Sequence, residues 1–147
     1  VALTLCDFDT PVWLDPVLAA NPELRSWLTF HTGAPLATNR REAAFGFVSS
    51  SRHLGELAQF AQGSDIFPDR STTLVVQAEA LTNSAGAQLG GPGMEATKTL
   101  GISPLPDKFW SCARANHALY PRGVDLIFCT RTSLACLPRS TRIAEGG

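Results

Sequence analysis

Tyr120-Pro-Arg-Gly-Val-Asp-Leu-Ile-Phe-Cys-Thr130 and the adjoining Arg131-Thr-Ser-Leu-Ala-Cys-Leu-Pro-Arg-Ser-Thr141 hold the pattern on which the fold turns. Pro121 and Gly123 break the segment before them, and residues 124–129 form a β-branched and aromatic run. Arg131-Thr132-Ser133 is a polar turn, and residues 134–137 are a second apolar run stopped by Pro138. Two short apolar runs around a tight polar turn predict a buried hairpin. Asp125 interrupts the first run. A buried carboxylate without partners is costly, so Asp125 is expected at the strand entrance, meeting Arg122, Arg139 or a backbone N–H.

Working back from this hairpin, Thr72-Thr-Leu-Val-Val-Gln-Ala-Glu-Ala-Leu81 is the strongest strand pattern in the chain. Its inner half is apolar on both faces, as in a central strand covered by helices. Asn21-Pro22-Glu23 predicts a helix start, and Leu24, Trp27 and Leu28 form one apolar stripe. That helix should end at Phe30-His31-Thr32-Gly33, with His31 capping carbonyls at its C-terminus. Val12-Trp-Leu14 reads as a short buried strand, 42–48 as a strand, and 52–61 as a helix opened by Ser49-Ser50-Ser51 and ended by Gly63. Residues 82–86 predict a loop or hairpin turn, and 97–102 a further strand. A helix is expected to start near Pro106, with Phe109, Cys112, Ala113 and Asn116 on its inner stripe and His117 as a C-terminal cap. A central strand covered by helices predicts an α/β fold.

Composition narrows the function classes. The chain has 147 residues, 44% of them apolar and 17% charged, enough for one ordered domain with a core. A net charge of −1 with scattered basic residues argues against a nucleic-acid partner. No apolar run approaches the ~18 residues needed to cross a bilayer, so no membrane partner is expected. Val1-Ala-Leu-Thr-Leu-Cys-Asp7 lacks a signal-peptide pattern and resembles the last turns of an apolar helix, so further residues are expected upstream. Cys6, Cys112, Cys129 and Cys136 fit no metal or redox spacing. They read as small buried hydrophobes of a cytoplasmic protein, although a bridge between Cys129 and Cys136 across the hairpin is geometrically open.

Candidate chemistry is sparse. Asp7 and Asp9 could serve a metal or acid/base chemistry, but without a third ligand at suitable spacing they read as a capped turn. Gly91-Pro-Gly-Met-Glu-Ala96 followed by Lys98-Thr99 imitates two nucleotide motifs. Pro92 has no N–H for a phosphate and no glycine immediately precedes Lys98, so a Gly-Pro-Gly hairpin bend is the better reading. No cofactor and no metal are expected.

Four blocks, in order along the chain, are similar to the bacterial phosphonate-metabolism family PhnH: 5–14 with its Asp-Thr-Pro-Val-Trp-Leu, Phe30-His-Thr-Gly-Ala-Pro35, Gly91-Pro-Gly93, and the closing Tyr120-Pro-Arg-Gly-Val-Asp-Leu … Leu137-Pro-Arg-Ser-Thr141. The resemblance implies a single PhnH-like domain over 1–147, lacking about fifty N-terminal residues. It further implies a mixed-sheet sandwich with helices on both faces, similar to the large domain of pyridoxal-phosphate-dependent transferases, without that cofactor. The implied protein is a cytoplasmic, homodimeric, non-catalytic subunit. It would assemble with the G, I and J components of carbon–phosphorus lyase and support transfer of the ATP ribose triphosphate to an alkylphosphonate with release of adenine. The alternative is an independent transferase or binding module for phosphonate or nucleotide. Ligand-contact candidates for that reading are His31, Thr32, Arg122, Asp125 and Arg139, with no catalytic residue assigned.

Overall fold

The computed structural model describes residues 1–144. Helix α1 (Ala2–Leu5) leads into strand β1 (Val12–Leu14), followed by α2 (Pro16–Ala19) and α3 (Pro22–Thr32). Strands β2 (Phe45–Val48) and β3 (Thr73–Gln77) come next, separated by short 3-10 turns. A long β4 (Ala80–Gly90) and β5 (Lys98–Ser103) precede α4 (Phe109–His117). Strands β6 (Asp125–Cys129), β7 (Leu134–Leu137) and β8 (Arg142–Ile143) complete the described chain. Five strands form a mixed sheet in the order β1-β2-β3-β6-β7, parallel except for the β6–β7 hairpin. Strands β5, β4 and β8 make a second, antiparallel sheet.

Alternation along the parallel strands sorts the core into two layers. Val12, Leu14, Phe45 and Phe47 point to one face and pack with Leu18, Leu24 and Leu28 of α2 and α3. Trp13, Val48, Leu74, Val76, Leu126, Phe128 and Leu137 belong to the other layer. They meet Leu57, Phe60, Phe109 and Ala113, together with Ala87, Leu89 and Ile102 of the antiparallel sheet. The expected helices on both faces are therefore present, and the second sheet shares one face with α4. Leu74 and Val76 are fully buried and Val75 nearly so, as expected for a central strand.

The predicted hairpin stands in its pairing, with Leu126 opposite Leu137 and Cys129 opposite Leu134 around the 130–133 turn, but its second strand is a sheet edge buried only at Leu137. Its register also decides the cysteine question. Cys136 lies opposite Ile127, not Cys129, and all four cysteines are free. Cys136 is exposed, which corrects its reading as a buried hydrophobe.

Three element assignments need correction. Residues 52–61 form no α-helix; two 3-10 turns, Ser51–His53 and Leu57–Gln59, stand in its place. Gly55 lies between them, and glycine is a poor residue for a helix interior. The turns still bury Leu54, Leu57 and Phe60, so the apolar spacing was real but served a tighter backbone. The strand read over 72–81 is two strands, because β3 ends at Gln77 and the chain enters the second sheet at Ala80. Residues 82–86 are not a turn but part of β4, where pairing with β5 shifts register between Thr82 and Ala87. Gly86 sits in this bulge at φ 138°, and a Cβ there would lie 2.2 Å from the Leu100 carbonyl oxygen. A bulge glycine in a polar stretch mimics a turn in sequence.

Burial pushes the thiols of Cys6 and Cys129 above the 9.0 of a free cysteine. The folded state thus holds these protons more tightly than the unfolded state. That contribution is complete below the unfolded value and is lost as pH rises through the folded one. Urea midpoints are expected to hold level from about pH 7 to about pH 8.5 and to fall above that, less steeply in Cys129→Ala. An equal alkaline slope in Cys129→Ala would remove the thiol from the account.

Candidate functional site

The sequence candidates divide between two parts of the fold. Asp125 opens β6, at the amino end of the parallel strands, and Arg139 follows β7. The Arg139 backbone N–H donates to Asp125 Oδ1 at 2.8 Å, and Nη2 donates to Oδ2 at 2.6 Å. Nε adds a bond to Oδ1 at 3.2 Å, and Nη1 donates to the Pro68 carbonyl at 2.6 Å. The guanidinium thus ties the hairpin end to the turn before β3. The expectation that Asp125 meets Arg139 is borne out.

Two further residues extend this latch. His117 Nδ1 lies 2.9 Å from the Arg139 carbonyl oxygen, which makes it an anchor for the loop after β7 rather than a cap of its own helix. Asn116, buried at the end of α4, accepts from the Val124 N–H at 2.8 Å and donates to the Val124 carbonyl at 2.9 Å. Arg122 lies apart from Asp125 in its pairing, with Nε 3.2 Å from Asp65.

His31 and Thr32 lie at the C-terminus of α3, on another element. Thr32 Oγ1 donates to the Leu28 carbonyl at 2.7 Å and accepts from the Ala34 N–H, while Gly33 closes the helix in the left-handed conformation. The His31 ring packs against Trp27 and Phe30, at centroid distances of 4.7 and 5.1 Å. The five candidates are therefore not gathered in one place. Asp7 and Asp9 form the expected capped turn, with the Asp9 N–H donating to Asp7 Oδ1 at 3.0 Å. Lys98 and Thr99 begin β5 and face no phosphate-binding loop, since the bend before them belongs to the β4–β5 hairpin.

Sequence reasoning missed the opposite end of the sheet. Strand β1 leaves through Asp15 into α2, on the layer of Val12 and Leu14. Strand β2 leaves through Ser49 and Ser50 toward Leu54 and Leu57, on the other layer. Chain exits that diverge to opposite faces open a crevice at the carboxyl ends of an α/β sheet, where such folds commonly bind ligands. A polar crevice of about 560 Å³ lies next to that point, at the carboxyl ends of β2, β3 and β6, and is lined by Ser49, Ser50, Gln77, Glu79, Arg131 and Thr132. Asp15, only 2% exposed, accepts from the Ser49 N–H at 2.8 Å and from its hydroxyl at 2.6 Å, fixing that wall. Beside it, an apolar groove of about 350 Å³ is lined by Leu14, Leu18, Trp27, Phe47, Val75 and Cys129. The available signal was positional: Ser49, Gln77 and Thr130 are the polar residues at which three apolar runs end.

Among the described residues no serine, threonine or cysteine is hydrogen-bonded to a histidine, and no three His, Cys, Asp or Glu side chains group closely enough to hold a metal. No described helix is long and apolar enough to cross a membrane. These features define an α/β domain with a latched amino end and an open, polar carboxyl end. The chain belongs to the family described as bacterial phosphonate metabolism protein (PhnH), which matches residues 1–144. It is 43% identical over 143 residues to the "Alpha-D-ribose 1-methylphosphonate 5-triphosphate synthase subunit PhnH" of Rhizobium meliloti, a match covering 97% of this chain and 71% of that protein. It is also 30% identical over 76 residues to the "Putative C-P lyase subunit protein HtxG" of Stutzerimonas stutzeri, covering 52% of this chain and 39% of that protein.

Proposed function

We propose that this chain is a non-catalytic subunit of a carbon–phosphorus lyase core complex, supporting transfer of the ATP ribose triphosphate to an alkylphosphonate during phosphonate catabolism. The observation that carries this reading is the 43% identity, over 97% of the chain, to a subunit named for such a synthase. The internal commitments of Asp125, Arg139 and His117 support it, because these groups hold the hairpin rather than stand ready to move protons. Partners on this reading are the G, I and J components and a second copy of the chain, in the cytoplasm. The mixed sheet with helices on both faces would correspond to the large domain of pyridoxal-phosphate-dependent transferases, without the cofactor. The alternative, an independent phosphonate- or nucleotide-binding transferase, would draw on the carboxyl-end crevice.

Co-expression with the G, I and J components separates the two. A complex that forms and transfers ribose triphosphate to methylphosphonate only when this protein is present, while the isolated protein turns nothing over, is the expected result. Turnover by the isolated protein, or full activity of the complex without it, would overturn the subunit reading.

A further inference from the structure

The carboxyl-end crevice differs from the latch in one physical respect: three of its polar side chains, those of Arg131, Gln77 and Thr132, are uncommitted. The ion pairs among the described residues join Arg52 to Glu79, Arg122 to Asp65 and Arg139 to Asp125, and Arg131 belongs to none of them. Arg131 follows Thr130, whose hydroxyl accepts from the Ser133 N–H at 2.9 Å and holds the turn that presents the guanidinium. The side chains of Gln77 and Thr132 likewise make no hydrogen bond within the described residues, and all three border the same crevice. Glu79 is the one carboxylate on the wall, and Arg52 at 3.6 Å offsets its charge. What remains is one cation outside any ion pair, sharing the crevice with a free carboxamide and a free hydroxyl, while the Ser49 hydroxyl is held by Asp15. A planar guanidinium beside neutral donors matches an anion with several acceptor oxygens.

We propose that the crevice formed by the carboxyl ends of β2, β3 and β6 binds a phosphoryl or phosphonyl oxyanion, with Arg131 as its charge partner and Gln77 and Thr132 as hydrogen-bond donors. The choice of phosphorus over a carboxylate rests on the phosphonate reading above. The site sits at the end of the sheet away from Asp125 and Arg139, so ligand contact there leaves the latch untouched. Because Arg131 is exposed, binding should weaken as salt rises.

Nitrogen-15 NMR titration of the protein with ribose 5-phosphate, methylphosphonate and, as neutral control, ribose tests this. Amide shifts centred on residues 49–50, 77–79 and 130–132, with Kd tighter than about 1 mM for at least one phosphorus probe, are expected. Arg131→Gln should weaken that binding about tenfold or more, since a charge-assisted hydrogen bond is lost, while Arg122→Gln binds as the parent does. A stronger response to ribose 5-phosphate identifies a sugar phosphate as the occupant, and a stronger response to methylphosphonate identifies a phosphonate. Absence of shifts at these residues with both probes would overturn the site, as would undiminished binding in a folded Arg131→Gln protein. Co-purification of the same variant with the G, I and J components distinguishes this failure from failure of the subunit reading, because assembly is scored without ligand.

Discussion

Replacing Arg139 by alanine is expected to destabilise the fold by about 2–4 kcal/mol, because it strands a carboxylate that the fold has partly removed from water. The Asp125 side chain is 29% exposed and that of Arg139 14%, so the pair is screened less than a surface bridge but is not fully desolvated. Only the backbone bond from Arg139 to Asp125 would survive the substitution, and the Pro68 carbonyl would lose its guanidinium donor. Urea denaturation of Arg139→Ala, Asp125→Asn and the double variant measures this directly. The two substitutions should be coupled, with the double variant less destabilised than the sum of the singles. Additive effects would mean that Arg139 acts through Pro68 and its own packing rather than through Asp125.

Asn116→Ala is expected to cost a comparable amount, about 2–4 kcal/mol, by a different route. Its amide side chain serves both the N–H and the carbonyl of Val124, a residue with no exposure at all, and alanine leaves two polar backbone groups without that partner. Gly123, at φ 121°, brings the chain so close that a Cβ there would lie 3.0 Å from Asn116 Oδ1. Asn116→Asp is the informative control: it keeps the acceptor for the Val124 N–H and loses the donor to the carbonyl. Thermal unfolding should rank the parent above Asn116→Asp at neutral pH, since a buried carboxylate facing a carbonyl oxygen is disfavoured. A fully stable Asn116→Ala protein would show that water replaces the side chain.

The two ends of the sheet were not equally legible. Asp125 announced itself because a carboxylate inside an apolar run demands a partner, and Arg139 stood fourteen positions on as one of few donors within reach of a hairpin. His117 and Asn116 were harder. Both read as ordinary residues of a helix end, and their partners, Arg139 and Val124, lie on segments that only folding brings near. The crevice was hardest, since none of Ser49, Gln77 or Arg131 breaks a local rule.

Local pattern thus determined the hairpin, the core of the central strand, the helix capped by Asn21 and the α/β class, because each follows from spacing of apolar residues and turn chemistry over a few positions. Three-dimensional packing decided the rest. It split 72–81 between two sheets, tightened 52–61 into 3-10 turns and drew 82–86 into a bulged strand. It also joined the exits of β2, β3 and β6 around one crevice. Those outcomes depend on which face each connection covers and which strand pairs with which, contacts whose free energy no short window of sequence contains.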